Sequence, residues 1–533
     1  MNRQLLLLAI ASAGVAGFFG CHRHEPAAAA QEARTVLRRG LGGEPSTLDP
    51  AAASDTFSTQ LIQDLYEGLT VESPSGDVIP GIASSWHVDN SGQRYTFQLR
   101  NDALWSNGKR VRSQDFVLAW ERVLDPARGS PVANDLSLIV GASEIIAGRL
   151  SPASLGVSTP SDDVLVINLV QPAPFFPELV AHSSAFPIFS EQSARSHEGY
   201  TWVSDGPYVL TKWQPGTQIE LHKNILYWDA KAVKVDTVHY QFSADQNAQL
   251  AAYRAGQLDM TDTIPANAIK ELRKEYPNEV VIAPYLGTAY YGLNFARRPF
   301  DGNKKLAKAL AMAIDRQRLV GSLALGQVEA FGIVPPGTWN YTPQRWEWAS
   351  VSDADRIASA RKLYAEAGYS RNKPLELRLL YNSSPEIKQT AQIVAAMWKD
   401  VLGIETILND EEFRVYLQSR HEKNKWDVLR LAWSADYNDA SNFLELFRSG
   451  SANNDTGYSN KAFDKLFDFA SNSADSDLRR HILESAEKLV LDEYPAIPLY
   501  FYVSKRLVKP YLRGVKPNAL DRVYSKSIYV LAH

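Results

Sequence analysis

Apolar residues recur at helical spacing along parts of this chain and alternate with polar ones along others, and the two periods predict different elements. From Asp55 to Leu69 the apolar positions are Phe57, Leu61, Ile62, Leu65 and Tyr66, which predicts an amphipathic helix with one face in a core and Gly68 near its end. Tyr95, Phe97 and Leu99 alternate as a strand, and the following Ala103-Leu104-Trp105-Ser106-Asn107-Gly108 reads as a strand, a turn and a return. Ser113 precedes a helical run of Phe116, Val117, Trp120, Val123 and Leu124 that Pro126 stops, since proline can neither donate nor fit in a helix interior. Val164, Val166 and Leu169 form a further alternating strand before the proline-rich Pro172 to Pro177, a candidate boundary.

The second half repeats this mixture. Asp245 to Gly256 reads as a helix, and Lys304 to Leu325 as a longer one with Leu306, Leu310, Ala313, Ile314 and Leu319 along one side. Ser352 caps a helix with the stripe Ile357, Ala360, Leu363 and Ala367, and Gly368 stops it. Leu375 to Tyr381 alternates as a strand. Ser384-Pro385-Glu386 then supplies an N-cap, a proline at the first helical position and a favourable acid, for a helix that ends at Leu402-Gly403. Ile404 to Leu408 is a second strand, so this stretch predicts a parallel βαβ unit and the fold class is mixed α/β.

The start of the chain is of another kind. Met1 to Gly20 carries one cation, Arg3, and is uncharged from Leu5 to Gly20, too short for a spanning helix of about 20 residues. It reads as an export signal. Directly after it stands Cys21, the only cysteine. A lone cysteine at this place resembles the bacterial lipoprotein pattern, which implies cleavage before Cys21 and its lipidation as an anchor. Residues 21–34, with His22-Arg23-His24-Glu25-Pro26 and four alanines, read as a tether.

The rest of the composition narrows the function. With 45% hydrophobic and 22% charged residues among 533, the chain is globular, of about three domains by length. Fifty-six Lys and Arg against 60 Asp and Glu give no general attraction for nucleic acid. The chain lacks His-Glu-x-x-His, Gly-x-Ser-x-Gly, a phosphate loop and a cysteine pair, so no metal or cofactor is expected. Ser370 and Lys373 have the spacing of a serine acyl-enzyme but lie in a loop without the companion Lys-Thr-Gly. Paired acids such as Glu411-Glu412, or Asp436 and Asp439, leave glycoside chemistry open.

Trp433-Ser434-Ala435-Asp436-Tyr437 carries more information, because an acid between two aromatic residues, directly after the strand-like Val428 to Leu431, predicts a partly buried negative charge in an apolar wall. Such a charge suits a cationic ligand; the alternative is an acid that caps the next turn. Arg420, His421 and Arg430 lie close along the chain and could supply complementary positive charge.

At this point the sequence resembles the peptide-binding extracytoplasmic proteins of ABC importers, the oligopeptide-binding branch of solute-binding protein family 5. The resemblance runs from about Arg39 to His533. It rests on an ordered set of segments: Glu44-Pro45-Ser46-Thr47-Leu48-Asp49-Pro50, Asp64-Leu65-Tyr66-Glu67-Gly68-Leu69, Tyr95 to Arg100 with Trp105-Ser106-Asn107-Gly108, Tyr253-Arg254-Ala255-Gly256-Gln257-Leu258-Asp259, Tyr290-Tyr291-Gly292-Leu293-Asn294 and Trp433 to Tyr437.

The resemblance implies a two-lobed periplasmic-binding-protein fold of the type II, cluster C-like kind, with an accessory domain and a hinge. It places a discontinuous first domain at 35–66, 188–284 and 504–533, the accessory domain at 67–187 and the opposing lobe at 285–503, with crossings near Pro284-Tyr285 and Tyr502-Val503. A peptide would be bound like an added β-strand, with its side chains in hydrated pockets. The resemblance makes Asp436 the partner of the peptide α-ammonium, Ala432, Trp433 and Ser434 the strand beside the peptide, and Ser54, Asp55 and Thr56 the facing segment. Tyr285 belongs to the site at the first crossing, and Arg420, His421 and Arg430 would meet the peptide carboxylate or acidic side chains.

Some relatives carry a cysteine pair where this chain has Gly287 and Ser434. Ile387 stands where some relatives present a carboxylate-contacting histidine, and Thr261-Asp262-Thr263-Ile264-Pro265 is shorter than the related stretch. The implied function is a periplasmic, lipid-anchored, monomeric carrier without catalytic activity that captures short oligopeptides and delivers them to a membrane permease. The alternatives are the same fold with a specialised cargo (a murein peptide, a signalling peptide or a metal chelate) and a secreted hydrolase.

Overall fold

Three sheets of four or more strands carry the described part of the chain, residues 35–190 and 202–531 of a computed structural model. The export signal, the tether and Cys21 lie outside the described residues, and no described helix is long and apolar enough to cross a membrane. The first sheet joins Val36–Leu41, Thr237–Phe242, Gln218–Lys223 and Tyr208–Gln214 in that order, parallel at the first pair and antiparallel elsewhere. The second is antiparallel, in the order Ala83–Val88, Arg94–Leu99, Val164–Asn168 and Val157–Ser161. Tyr95, Phe97 and Leu99 are buried in it as their alternation predicts. These two sheets share one apolar core that runs from Leu37 to Ile528 and takes in the buried face of helix Ser113–Leu124.

The third sheet has six strands in the order Val328–Glu329, Ala496–Leu507, Val280–Leu293, Val428–Ser434, Glu376–Asn382 and Glu405–Glu411. Its last two strands are parallel neighbours joined by helix Pro385–Leu402, the predicted βαβ unit, with Gly403 in the left-handed conformation (φ 77°) that ends the helix. A second apolar core surrounds this sheet, and the fold therefore has two lobes. Helices Gln246–Arg254 and Ile269–Glu275, which the resemblance assigns to the first domain, bury Leu250, Tyr253 and Leu272 in this second core.

Strands Val280–Leu293 and Ala496–Leu507 are hydrogen-bonded to each other and link the two cores. At one end Val508, directly after the second of them, bridges to Met260 and belongs to the first core, whereas Leu286 and Tyr290 belong to the second. Their register slips between Pro284, opposite Val503, and Thr288, opposite Phe501. Three residues on one strand, 285–287, thus stand against the single Tyr502 of the other. The bulged Leu286 donates its N–H to the Ala519 carbonyl at 2.7 Å and accepts from Ala435 N–H at 2.8 Å.

The elements differ from their predicted extents where distant contacts intervene. The helix predicted from Asp55 to Leu69 is Thr56–Leu65, with Asp55 as its cap, and it stops where Tyr66 turns extended (φ −125°, ψ 165°). The single helix predicted over Lys304 to Leu325 is two, Lys304–Ala313 and Arg316–Leu323. Ile314 is extended between them, and the buried Arg316 guanidinium donates to the carbonyls of Ala311, Ile314, Ala330 and Pro498. It thereby satisfies carbonyls that a continuous helix would have bonded internally. Ala103 to Gly108 is a tight turn closed by a lone bridge between Leu104 and Arg110 instead of a strand pair.

The C-terminal segment is fastened to the first lobe by three buried acids. Asp64 accepts from Ser525 N–H at 3.0 Å, Glu67 pairs with Lys526 at 2.8 Å, and Glu72 pairs with Arg522 and accepts from Asn518. Glu67 also accepts from Tyr227 Oη and, at 2.6 Å, from Trp228 Nε1. Glu67→Ala removes the shared acceptor of Tyr227, Trp228 and the Lys526 cation, which keeps Tyr227 Oη at 3.1 Å, and should lower stability by about 3–5 kcal/mol. Glu67→Gln, which still accepts hydrogen bonds, should lose less; urea unfolding of both variants reads the difference.

Candidate functional site

A cleft of about 590 Å³ opens where the bulged crossing, the end of strand Val428–Ser434 and the start of helix Thr56–Leu65 face one another. Ser54, Asp55, Thr56 and Gln60 line it from one side, Tyr285, Ser434, Asp436 and Tyr502 from the other, and Arg506, Asp521 and Arg522 from the C-terminal region. A second cavity of about 720 Å³ adjoins it, and His182 and Asp436 line both. A further cavity of about 670 Å³ contains Arg297, Arg298 and Arg378. It also contains Asp427, which precedes strand Val428–Ser434, so it lies at the opposite end of that strand from the cleft and shares no lining residue with it.

Asp436 stands two residues beyond the end of the strand and its side chain is open to the cleft. Its carboxylate accepts one hydrogen bond, from Asn442 Nδ2 at 3.5 Å, and forms no ion pair among the described residues. Arg522 passes nearby but is engaged by Glu72 and by the Asp436 main-chain carbonyl, 3.4 Å away. Loss of water between the cleft walls raises the Asp436 pKa, and the Asn442 hydrogen bond and the Arg522 charge offset part of that rise.

The other predicted residues divide into those that reach the cleft and those that do not. Ser434 is exposed on its wall. Ala432, one pleat earlier on the same face, is half-buried opposite Ala289. Trp433 points to the other face, lines the second cavity, and donates from Nε1 to Asn442 Oδ1 at 2.7 Å. Arg430 stands behind the cleft and reaches it through Tyr502, whose hydroxyl accepts from Nη2 at 2.7 Å. Arg420 and His421 instead converge on the buried Asp455, at 3.5 and 3.6 Å, and are not among the residues that line the cleft.

Tyr285 stacks on Tyr502 with centroids 5.9 Å apart and the rings inclined by 14°. Gly287 makes this possible, since a Cβ there would come within 2.7 Å of the Tyr285 ring. Gly287 and Ser434 are directly opposed across the antiparallel pair. Asp55 has a local task. Its carboxylate accepts from Ser58 N–H at 2.8 Å and from the hydroxyls of Ser46 and Ser58 at 2.6 Å each. Desolvation works against the charged form, yet these hydrogen bonds bring its pKa below the ordinary carboxylate value. The capped helix end presents Ser54 and Thr56 to the cleft.

Several residues of the site carry no sequence signal. His182 Nδ1 meets Ser184 Oγ at 2.8 Å and stands 3.6 Å from Asp135. Burial brings the His182 pKa down to about 3 and pushes Asp135 up to about 6, the latter helped by the charge of Asp436, so the two do not form an ion pair at neutral pH. His182 and Asp135 come from irregular segments with no periodicity to mark them. Asn442 gives only its closeness to Asp436 along the chain.

Two lobes around a polar cleft with a carboxylate in its wall are the arrangement of a solute-binding protein. Residues 77–455 match the model of bacterial extracellular solute-binding proteins, family 5 Middle. The chain is 34% identical over 543 aligned residues to the periplasmic oligopeptide-binding protein OppA of Salmonella typhimurium, covering 100% of this chain and 99% of that protein. Among solved structures it resembles the unliganded open form of the periplasmic murein tripeptide-binding protein MppA, with a TM-score of 0.84, 35% identity and coverage of 94% of this chain and 98% of that one. It also resembles Haemophilus influenzae OppA in complex with RPPGFSPFR, with a TM-score of 0.76, 32% identity and coverage of 94% and 99%. The chain belongs to the bacterial extracellular solute-binding proteins of family 5.

The capping role of Asp55 is open to test. Asp55→Ala should cost about 1–2 kcal/mol in stability, as loss of an N-cap does, while Asp55→Asn should lose little. Chemical denaturation of the two variants distinguishes them.

Proposed function

We propose that this protein captures short oligopeptides between its lobes and delivers them to the membrane permease of an ABC importer. The observation that carries the reading is an unpaired acid beside an unpaired strand edge. Strand Glu376–Asn382 pairs with Val428–Ser434 only at Val428 and Leu429, so the edge from Leu431 to Ser434 has no strand partner on that side. An extended peptide can add there through its main chain, with its α-ammonium against Asp436 and its far side against Ser54 and Thr56. Main-chain pairing is indifferent to side chains, and a roomy cleft accommodates them with water, which suits a carrier of many sequences.

The same arrangement supports transport over catalysis. Asp436 has a hydrogen bond to a neutral amide and no nucleophile or base within its network, so the reading contains no covalent step. The discontinuous first domain (35–66, 188–284, 504–533), the accessory domain (67–187) and the opposing lobe (285–503) would close about the bulge at residues 285–287. The carrier would work as a monomer in the periplasm, held to a membrane through lipidated Cys21. A murein peptide is the second cargo to consider, because the chain is as similar to a murein tripeptide-binding protein as to oligopeptide-binding ones.

Native mass spectrometry of the purified protein, followed by release and sequencing of its cargo, tests the reading. Intact short peptides at about one per protein are expected; a non-peptide cargo or hydrolysed fragments after long incubation would refute it. Asp436→Ala should weaken peptide binding by about 3–5 kcal/mol, measured by calorimetry, because the ligand ammonium is left without its counter-charge.

Affinity should also depend on pH. Asp436 must be ionised to bind an ammonium, and its raised pKa moves the loss of binding to higher pH than an ordinary carboxylate would show. Binding should therefore weaken as pH falls, shallowly through loss of the charge of Asp135, whose carboxyl is pushed up to about 6, and more strongly through protonation of Asp436. Asp436→Asn should retain only the shallow part of this profile.

A further inference from the structure

Among the described residues, Asn442 is the one side chain that hydrogen-bonds Asp436 at both its main chain and its carboxylate. It belongs to the short helix Ser441–Leu444 and is 6% exposed. Its Oδ1 accepts from Trp433 Nε1 at 2.7 Å and from Asp436 N–H at 3.3 Å, while its Nδ2 reaches Asp436 Oδ2 at 3.5 Å. One carboxamide therefore ties the end of the strand, the turn and the acid into a single unit.

The base on which Asn442 stands is rigid. Asp439 Oδ1 accepts from the N–H of Ser441 at 2.9 Å and from its hydroxyl at 2.5 Å, which sets the start of the helix. The same carboxylate takes both amino groups of Arg479, at 2.6 and 2.8 Å, with both residues buried. Phe175 and Tyr437 stack beside this pair at 4.7 Å, and the Arg479 guanidinium lies 5.1 Å from the Phe175 ring. The turn from Asp436 to Asn442 is thus pinned on both sides.

We infer that Asn442 is a positioning residue for ammonium recognition: its carboxamide aims the Asp436 carboxylate into the cleft and holds it there without neutralising it. The inference rests on the peptide-binding reading and deepens it. The chemistry of the residue is the reason. Lysine or arginine at this position would form an ion pair with Asp436 and compete with the ligand, and an aspartate would supply no donor to it. A neutral amide supplies both an acceptor for Trp433 and a donor for Asp436, and leaves the negative charge for the ligand. The nearby cation Arg522 does not take that charge, being engaged by Glu72 and the main-chain carbonyl of Asp436. The protein would therefore select peptides with a free amino terminus over N-blocked ones, and Asn442 would contribute to that selection only through Asp436.

Calorimetry with one short peptide and its N-acetylated counterpart, on the full mature protein, tests this. Asn442→Ala should weaken the free-amino peptide by about tenfold, the scale of a hydrogen bond to a charged group, and change the acetylated peptide by less than about twofold. In the double variant with Asp436→Ala, the free-amino peptide should bind no more weakly than to Asp436→Ala alone. Trp433→Phe, which keeps an aromatic ring but removes the indole N–H that holds Oδ1, should show a smaller loss of the same kind and serves if Asn442→Ala does not fold. Equal losses on both peptides, or additive losses in the double variant, would overturn the assignment and leave Asn442 a structural residue. Failure of the unmodified protein to bind either peptide would instead overturn the peptide reading itself, and the inference with it.

Discussion

The constraint on which the rest of the structure depends is that two hydrogen-bonded neighbours, Val280–Leu293 and Ala496–Leu507, connect the two cores. The apolar side chains of each lobe are buried within its own core, and the paired register breaks between them. The slip between Pro284 and Thr288 releases main-chain groups that a regular ladder would consume, and Leu286 uses them to bind Ala435 and Ala519. The segment carrying Asp436 is thereby tied to the crossing itself.

Charge is distributed to match. Asp439 is paired with Arg479, Glu72 with Arg522 and Glu67 with Lys526, all deep in the protein, where an unpaired ion would be costly. Asp436 has no such cation: it faces the cleft, it is partly stripped of water, and its carboxylate accepts from a neutral amide. The neighbouring carboxyl of Asp135 deepens the negative potential on the same side and titrates near the acidic end of the physiological range.

Much of this was legible residue by residue. The alternation of Tyr95, Phe97 and Leu99, the cap and glycine stop of helix Pro385–Leu402 and the acid set among aromatics at Trp433 to Tyr437 all record the local environment of the side chains involved. Nearness along the chain was a poorer guide. Arg420 and His421 precede strand Val428–Ser434, which is about 20 Å long, and the cleft is at its far end, so they meet Asp455 instead. The break at Ile314 lies inside a continuing apolar stripe; Asp315 caps the second helix there, and Arg316 binds carbonyls of Ala330 and Pro498, remote in sequence.

By itself, then, the sequence determined the kinds of element, the α/β class and the acid most suited to a cationic ligand, since periodicity and residue chemistry are properties of short segments. Only the tertiary structure decided which groups meet. The cleft is assembled from residues near 54–60, 182, 285, 434–436 and 502–522, and their convergence follows from the bulged crossing and the acids that fasten the C-terminal segment. The partnership of Asn442 with Trp433 and Asp436 is of the same kind: a hydrogen bond has a direction and a length, and both are set by how the chain turns, which no local pattern of polarity records.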